Sequence, residues 1–281
     1  SKKGQEKRMN YTKVKNFLKI LGKDDFNAEH ILECGQIFSY KKIENGFLVL
    51  SADKKCEIVE TDDGFLIKTT APTYFENFFD LKTDYGGIKK ELEKFDIMKE
   101  PIKFGYGIRI LKQNLFETLI SFIVSANNNI MRIQMILNRM REKFGTKISD
   151  FYAFPTQTQL LSATEDDFTQ MGAGYRAKYL FKVVRQVDEK TLDDWKNFPT
   201  KELRNKLISL AGVGPKVADC VLLFGYGRGD VSPVDTWIAK MYNKYYAKLE
   251  NREQIRQNLT EQFGELSGYA QQYLFYFMRA S

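Results

Sequence analysis

The sequence holds one histidine, His30, in 281 residues, which excludes a histidine-based catalytic triad and a multi-histidine metal centre. Its three cysteines, Cys34, Cys56 and Cys220, are widely separated and include no CxxC pair. They outline neither a disulfide framework nor a zinc or iron–sulfur ligand set, and they point to a reducing compartment. No apolar run reaches the ~18 residues of a membrane-spanning helix, and no signal peptide is visible. A soluble cytoplasmic protein is the expectation.

Hydrophobic residues make up 43% of the chain and aromatics 14%, enough to build real cores. The length suits two or three compact subdomains better than one small core. Lys and Arg number 43 against 36 Asp and Glu, a net charge of +7 that fits a nucleic-acid partner without requiring one. Residues 1–8, "SKKGQEKR", precede Met9 and read as a tag remnant or a disordered basic arm.

Residues 34–70 alternate apolar and polar side chains around Asn45-Gly46 and Asp63-Gly64, dipeptides that supply the positive φ angles of tight hairpins. This predicts a twisted antiparallel sheet, with helices before it at about 11–22 and after it at about 73–97. From about residue 100 the apolar period is near 3.6 and stays there. The predicted fold class is α+β. An N-terminal sheet domain with helices spans 9–100, and a larger all-α body spans 101–281. That body holds two helical subdomains, and its last helix closes a pocket.

Residues 201–226 read as helix, tight turn, helix. Gly212 and Gly214 allow positive φ and close backbone approach, and Pro215 suits the first turn of the second helix. Backbone N–H groups at such a turn can hold a phosphate oxygen without sequence preference. An ordinary αα-hairpin is the plainer alternative. Lys216 shares a helix face with Asp219 and Cys220. A free lysine amine, with a reference pKa of about 10.4, is almost wholly protonated at neutral pH. Partial burial among Val217, Val221 and Leu222 would release the lone pair for attack on carbon, whereas a snorkelling side chain would do nothing of the kind. Asp235, in "SPVDTWIAKMY", suits a helix N-cap. Held ionised there, it could also stabilise positive charge on a sugar as a base departs. The three parts together suit N-glycosidic cleavage in DNA.

"LAGVGPKVADC" followed by "VSPVDTWI" resembles the helix-hairpin-helix glycosylase superfamily, whose motif ends in a Gly/Pro-rich loop and a catalytic aspartate. The lysine form implies a bifunctional member that removes a base and then nicks the strand. Four further segments resemble the 8-oxoguanine DNA glycosylase family: "ECGQIFSY" its GQ-x-F strand, "SFIVSANNNIMRI" its asparagine-rich junction, "GAGYRAKYL" its Gly-Tyr-Arg turn and "GYAQQYLF" its C-terminal pocket segment. The resemblance spans residues 15–278 and includes the family's N-terminal β domain. The four-cysteine iron–sulfur loop of the endonuclease III branch is absent.

The resemblance implies that Lys216 attacks C1′ and forms a Schiff base, while Asp235 stabilises the oxocarbenium charge. It implies that the Gly35 carbonyl accepts from N7–H, which 8-oxoguanine has and guanine lacks. Cys220 and Phe275 would sandwich the extruded base, Gln271 would bond its Watson–Crick edge, and Pro233 would line the same pocket. Asn127 would fill the gap left in the duplex, Tyr175 would wedge beside the orphaned base, and Arg132 and Arg176 would donate to the orphan cytosine. Gly212, Gly214 and Val217 would hold backbone phosphate. Trp237 stands where animal relatives usually carry a phosphate-holding histidine, and an indole N–H donates but cannot become cationic. A cation could sit on the carbonyls of Ile208, Leu210 and Val213, and no organic or redox cofactor is implied. Singly, each residue has a plainer role: Gly35 a bulge, Phe275 core, Gln271 helix surface, Cys220 a small hydrophobe, "NNN" a helix stop and cap.

The expected partner is double-stranded DNA containing 8-oxoguanine, bound by a monomer with no membrane association and, in a bacterium, at the nucleoid. Two alternatives stay open. One is a glycosylase of the same superfamily for alkylated purines or oxidised pyrimidines, and the other is a helix-hairpin-helix protein that only binds DNA.

Overall fold

The computed structural model describes residues 9–280, so the expected N-terminal arm lies outside the described residues. The chain forms two compact units. One comprises 9–49, 55–112 and 229–280; the other comprises 50–54 and 113–228.

The first unit opens with β1 (Tyr11–Val14), β2 (Phe17–Leu21), α1 (Ala28–Leu32), β3 (Tyr40–Ile43), β4 (Gly46–Ser51), β5 (Lys54–Thr61) and β6 (Gly64–Lys68), except that residues 50–54, the end of β4 and the start of β5, group with the second unit. The helices α2 (Pro72–Phe78), α3 (Tyr85–Leu92) and α4 (Lys99–Phe104) follow. The six strands form one sheet in the order β1-β2-β6-β5-β4-β3. The β3–β4 and β5–β6 hairpins form where Asn45-Gly46 and Asp63-Gly64 place them, but the two turn residues are Glu44-Asn45 and Asp62-Asp63, and the positive φ belongs to Gly46 and Gly64, each the first residue of the returning strand. Gly64 has φ +155°, and a Cβ there would stand 2.0 Å from the Ile20 carbonyl oxygen.

Three local expectations fail. Residues 11–22 form a strand hairpin, not a helix. Their apolar residues at 11, 14, 18 and 21 mimic a helical face, but Leu18 and Ile20 are fully buried, and they pair opposite Ile67 and Phe65 of β6. Pairing with β6 decides the period, as tertiary context does for short segments. The helix expected over 73–97 is broken between α2 and α3, where the Asp84 side chain accepts from Gly87 N–H and restarts the chain as an N-cap. "ECGQIF" forms a loop after α1, and the strand begins only at Tyr40.

The second unit carries α5 (Leu115–Ser125), α6 (Ile130–Phe144), β7 (Lys147–Ile148), β8 (Phe151–Tyr152), α7 (Gln157–Leu160), α8 (Glu165–Gln170), α9 (Ala177–Gln186), α10 (Glu189–Asp194), α11 (Thr200–Ile208) and α12 (Pro215–Phe224). Helix α5 is buried on nearly every side, the position its all-round apolar sequence requires. Its Phe122 ring stacks on Phe224 of α12 at 5.5 Å between centroids. The chain then re-enters the first unit as α13 (Thr236–Tyr245), α14 (Arg252–Phe263) and α15 (Ser267–Ala280).

Two cores hold the first unit. Leu18, Ile20 and Ile58 of the sheet cluster with Phe26, Phe75 and Phe79, and Ile102 of α4 clusters with Ile238, Met241, Leu259 and Leu274 of α13–α15. Fully buried Arg109 fastens the loops between them. Its guanidinium donates to the carbonyls of Phe79, Asp25, Asp80 and Thr83 and lies 4.0 Å over the Tyr85 ring. Among the described residues no helix is long and apolar enough to cross a membrane.

In the second unit Asp219 of α12 is 1% exposed and takes both its oxygens to Arg204 of α11, at 2.7 Å from Nε and 3.2 Å from Nη2. Removing one partner of such a pair strands a buried charge. Arg204→Met is expected to lower the unfolding free energy by about 3 kcal/mol, read from urea denaturation midpoints.

Candidate active site

Helices α11 and α12 are joined by the turn 209–214. Gly212 has φ +77°, and a Cβ on it would stand 2.7 Å from Tyr179 Cβ, so only glycine fits against α9. Gly214 differs from expectation: φ is −90°, an angle open to any residue. It is the N-cap of α12, and a Cβ there would meet nothing within 4 Å. That space lies over the first turn of a helix, where orphan N–H groups and the positive dipole end favour an anion. Pro215 takes the N1 position, as its fixed φ allows.

Lys216 is half-buried in this first turn, and its Nζ lies 5.3 Å from the Phe122 ring centroid. The flanking Val217, Val221 and Leu222 are buried, but Phe122 of α5 faces the ammonium, a neighbour that sequence spacing did not reveal. Asp219, one turn on, is the one carboxylate of α12 and is spaced to pair with Lys216, but it is buried and Arg204 occupies it. Among the described residues Lys216 has no ion-pair partner. Cys220, 3% exposed, lies one turn along α12 from Lys216.

The turn between α5 and α6 divides its asparagines. Asn128 Nδ2 donates to the Val124 carbonyl, and the Asn129 side chain caps α6 by accepting from Arg132 N–H. Those two do the stopping and capping that the plainer reading assigned to all three. Asn127 is exposed in the left-handed region at φ +48°, which asparagine tolerates better than most residues. Arg176, 3% exposed, holds this apex by donating to the Ala126 and Asn127 carbonyls, and Tyr175 Oη also donates to Ala126. Tyr175 itself is 54% exposed. Arg132 donates through Nε and Nη2 to the Gly172 carbonyl. Its Nη1 makes no hydrogen bond within the described residues.

The remaining candidates belong to the first unit. Pro233 is buried in the extended run before α13. Asp235 caps α13: its Oδ1 accepts from Ile238 N–H at 2.9 Å, and its Oδ2 accepts no hydrogen bond among the described residues. One oxygen therefore does the capping and one is left over. Trp237 is 38% exposed, and Lys240, which sequence reading passed over, places its ammonium 4.9 Å from the indole.

Gly35 has φ +81°, and a Cβ on it would stand 2.8 Å from Phe275 Cε1. Close approach to Phe275, not a strand bulge, is what demands glycine. The Gly35 carbonyl accepts no hydrogen bond among the described residues. Gln271, one turn before Phe275 on α15, is 6% exposed, and its Oε1 has no hydrogen-bond partner among the described residues. At that burial Gln271 does not lie on a helix surface, and a buried amide oxygen left unpaired is costly. Lys216, Cys220, Asn127, Arg132, Tyr175 and Arg176 thus belong to the second unit, and Gly35, Pro233, Asp235, Trp237, Gln271 and Phe275 to the first.

Residues 120–265 match the model of the HhH-GPD superfamily base excision DNA repair proteins, which sets the class. Residues 19–119 match the 8-oxoguanine DNA glycosylase N-terminal domain. The chain belongs to the 8-oxoguanine DNA glycosylase family of that superfamily. It is 33% identical to the N-glycosylase/DNA lyase of Saccharomyces cerevisiae over 238 residues, 76% of this chain and 62% of that protein. It is 32% identical to N-glycosylase/DNA lyase OGG1 of Arabidopsis thaliana over 64% of this chain and 56% of that one. The chain therefore spans about three-fifths of these relatives' length. The Clostridium acetobutylicum 8-oxoguanine glycosylase/lyase, solved with duplex DNA containing cytosine opposite 8-oxoguanine, is 36% identical, with a TM-score of 0.90 over 96% of this chain and 98% of that one.

Proposed function

We propose that the protein is a bifunctional DNA glycosylase/β-lyase that excises 8-oxoguanine from duplex DNA in base excision repair, through a Schiff base on Lys216. The observation that carries this is Lys216 standing, among the described residues, without a counter-ion, one helical turn from a carboxylate already taken by Arg204. The names of its relatives, N-glycosylase/DNA lyase and 8-oxoguanine glycosylase/lyase, support the same reaction.

As free amine, Nζ forms a bond to C1′ while the bond from C1′ to N9 breaks and the departing base takes up a proton. The second oxygen of Asp235 stabilises the positive charge on the sugar during that step. Loss of the proton from nitrogen and opening of the sugar ring leave an imine between Lys216 and C1′. The imine acidifies C2′–H; removing that proton expels the 3′ phosphate, and hydrolysis returns the amine.

The Gly35 carbonyl suits the base-reading step because it is an unused acceptor. It takes the N7–H of 8-oxoguanine, whereas guanine would set two acceptors face to face. Phe275 and Cys220 are assigned to the faces of the extruded base, Pro233 to its pocket, and Gln271 Oε1 to a donor on its Watson–Crick edge. Asn127, whose side chain makes no hydrogen bond among the described residues, is assigned to the gap in the duplex, Tyr175 to the wedge, and Arg132, through its unused Nη1, to the orphan cytosine; Arg176 is assigned to the same cytosine and reaches it only by releasing the turn carbonyls that its Nε, Nη1 and Nη2 hold. Gly212, Gly214 and Val217 are assigned to backbone phosphate. Trp237 donates to phosphate through its indole, with the Lys240 ammonium beside it as the cation the indole lacks. A cation on Ile208, Leu210 and Val213 would share the Leu210 carbonyl with Val213 N–H, 3.2 Å away, and no step depends on it. We place the protein as a monomer in the cytoplasm, at the nucleoid if its source is bacterial.

Gly35→Ala adds a methyl group against Phe275 at a left-handed φ. It is expected to cost about 1–2 kcal/mol of stability and to slow 8-oxoguanine excision roughly 10- to 100-fold, measured under single-turnover conditions. The reading itself is tested by presenting duplexes with 8-oxoguanine, 3-methyladenine or an oxidised pyrimidine. Release of 8-oxoguanine in clear preference to the others supports it; preference for another lesion moves the protein to a different substrate class, and release of none leaves a DNA-binding protein.

A further inference from the structure

Gly35 is anchored from both chain directions. On its N-terminal side, Gln272 Nε2 donates to the Cys34 carbonyl at 2.5 Å and Arg279 Nη2 donates to the Glu33 carbonyl at 2.9 Å. Those carbonyls belong to the two peptide groups that precede Gly35, and each peptide group is a rigid plane. On its C-terminal side stands fully buried Gln36. Its Nε2 donates to the carbonyls of Ile31 and Arg109, and its Oε1 accepts from Leu111 N–H. Between these anchors the φ and ψ of Gly35 are the soft variables that set where its carbonyl points.

Gln272, Phe275 and Arg279 follow one another at helical spacing along one stripe of α15. The Arg279 guanidinium stands 5.7 Å from the Phe275 ring centroid and 3.6 Å from the position a Gly35 Cβ would take. Of the two side chains that hold the loop, Arg279 therefore also borders the ring that packs on it, and Gln272 lies on the same stripe one turn before that ring. Satisfying a buried carbonyl accounts for one such bond. It does not account for a second, from a half-exposed arginine, on the adjoining peptide.

We propose that Gln272 and Arg279 are positioning residues for base discrimination. They aim the Gly35 carbonyl and the Phe275 ring without touching the base, an inference that rests on reading Gly35 as the acceptor for N7–H. Their effect falls on reading the base and not on the lysine chemistry.

The whole chain, as wild type, Gln272→Met, Arg279→Met and Arg279→Lys, is assayed in single turnover on duplexes carrying 8-oxoguanine or a preformed abasic site. Thermal melting is followed in parallel, and the Arg279 pair decides the matter should Gln272→Met fail to fold. Both methionine variants are expected to lose about 10- to 100-fold in 8-oxoguanine excision. Abasic nicking, which has no base to read, keeps its rate, and Arg279→Lys, which retains a donor for Glu33, recovers most of the loss. Excision at the wild-type rate in both variants overturns the proposal, as does an equal fall in excision and abasic nicking, which marks a merely structural role. A wild-type protein that nicks abasic sites but excises no 8-oxoguanine overturns the reading of Gly35 beneath it, a result separable from the other two.

Discussion

Lys216→Gln is expected to lower the rate of nicking at 8-oxoguanine by roughly 10⁴-fold or more, the order seen when a covalent nucleophile is removed. Duplex binding should keep its affinity and its salt dependence, because glutamine preserves the reach of the side chain and the open first turn of α12 is untouched. Folding should hardly change. Lys216 makes no ion pair in the described residues, and the loss of its position over Phe122 is worth about 0.5–1 kcal/mol. The comparison separates the enzyme from a protein that only holds DNA: a binder would lose at most some affinity, and it would have had no nicking to lose. Single-turnover gel assays with a binding titration at two salt concentrations make both halves of the test.

Asp235→Asn is expected to give the second-largest effect, a fall of roughly 10²- to 10³-fold in the excision rate, the range for losing a preorganised electrostatic group. The substitution is chosen because Asp235 has an obvious structural task. Its Oδ1 caps α13, and asparagine caps helices as well as aspartate does. The melting temperature should therefore hold while the rate falls. Asp235→Ala should lose the rate and also about 1 kcal/mol of stability. If Asp235→Asn were as active as the wild type, the residue would be a cap and nothing more, and the charge stabilisation would have to come from elsewhere.

The parts of the fold written in short-range chemistry were legible. Asn45-Gly46 and Asp63-Gly64 mark the hairpins they predict, one residue past the turn centres, and Gly212 and Pro215 build the expected turn into α12. Residues 11–21 were not legible, because one spacing of apolar side chains serves a helix and a hairpin, and pairing of β2 with β6 makes the choice. The partition of the chain was equally hidden: apolar period does not say that 50–54 and 229–280 leave their sequence neighbours for another unit. At the site, residue types suggested Lys216 and Asp235, and the family resemblance added Gly35, but neither showed what isolates them. Arg204 on Asp219, Phe122 beneath Lys216, and Gln272 and Arg279 on the Gly35 loop are long-range partners, which no local pattern announces.

The central claim is that Lys216 becomes covalently joined to the sugar. The direct measurement is borohydride reduction of the protein mixed with a duplex carrying one 8-oxoguanine opposite cytosine, followed by proteolysis and mass analysis of the trapped peptide. Chemistry through Lys216 gives a stable protein–DNA adduct whose mass maps to that residue. Base release without an adduct, or an adduct on any other residue, would contradict it.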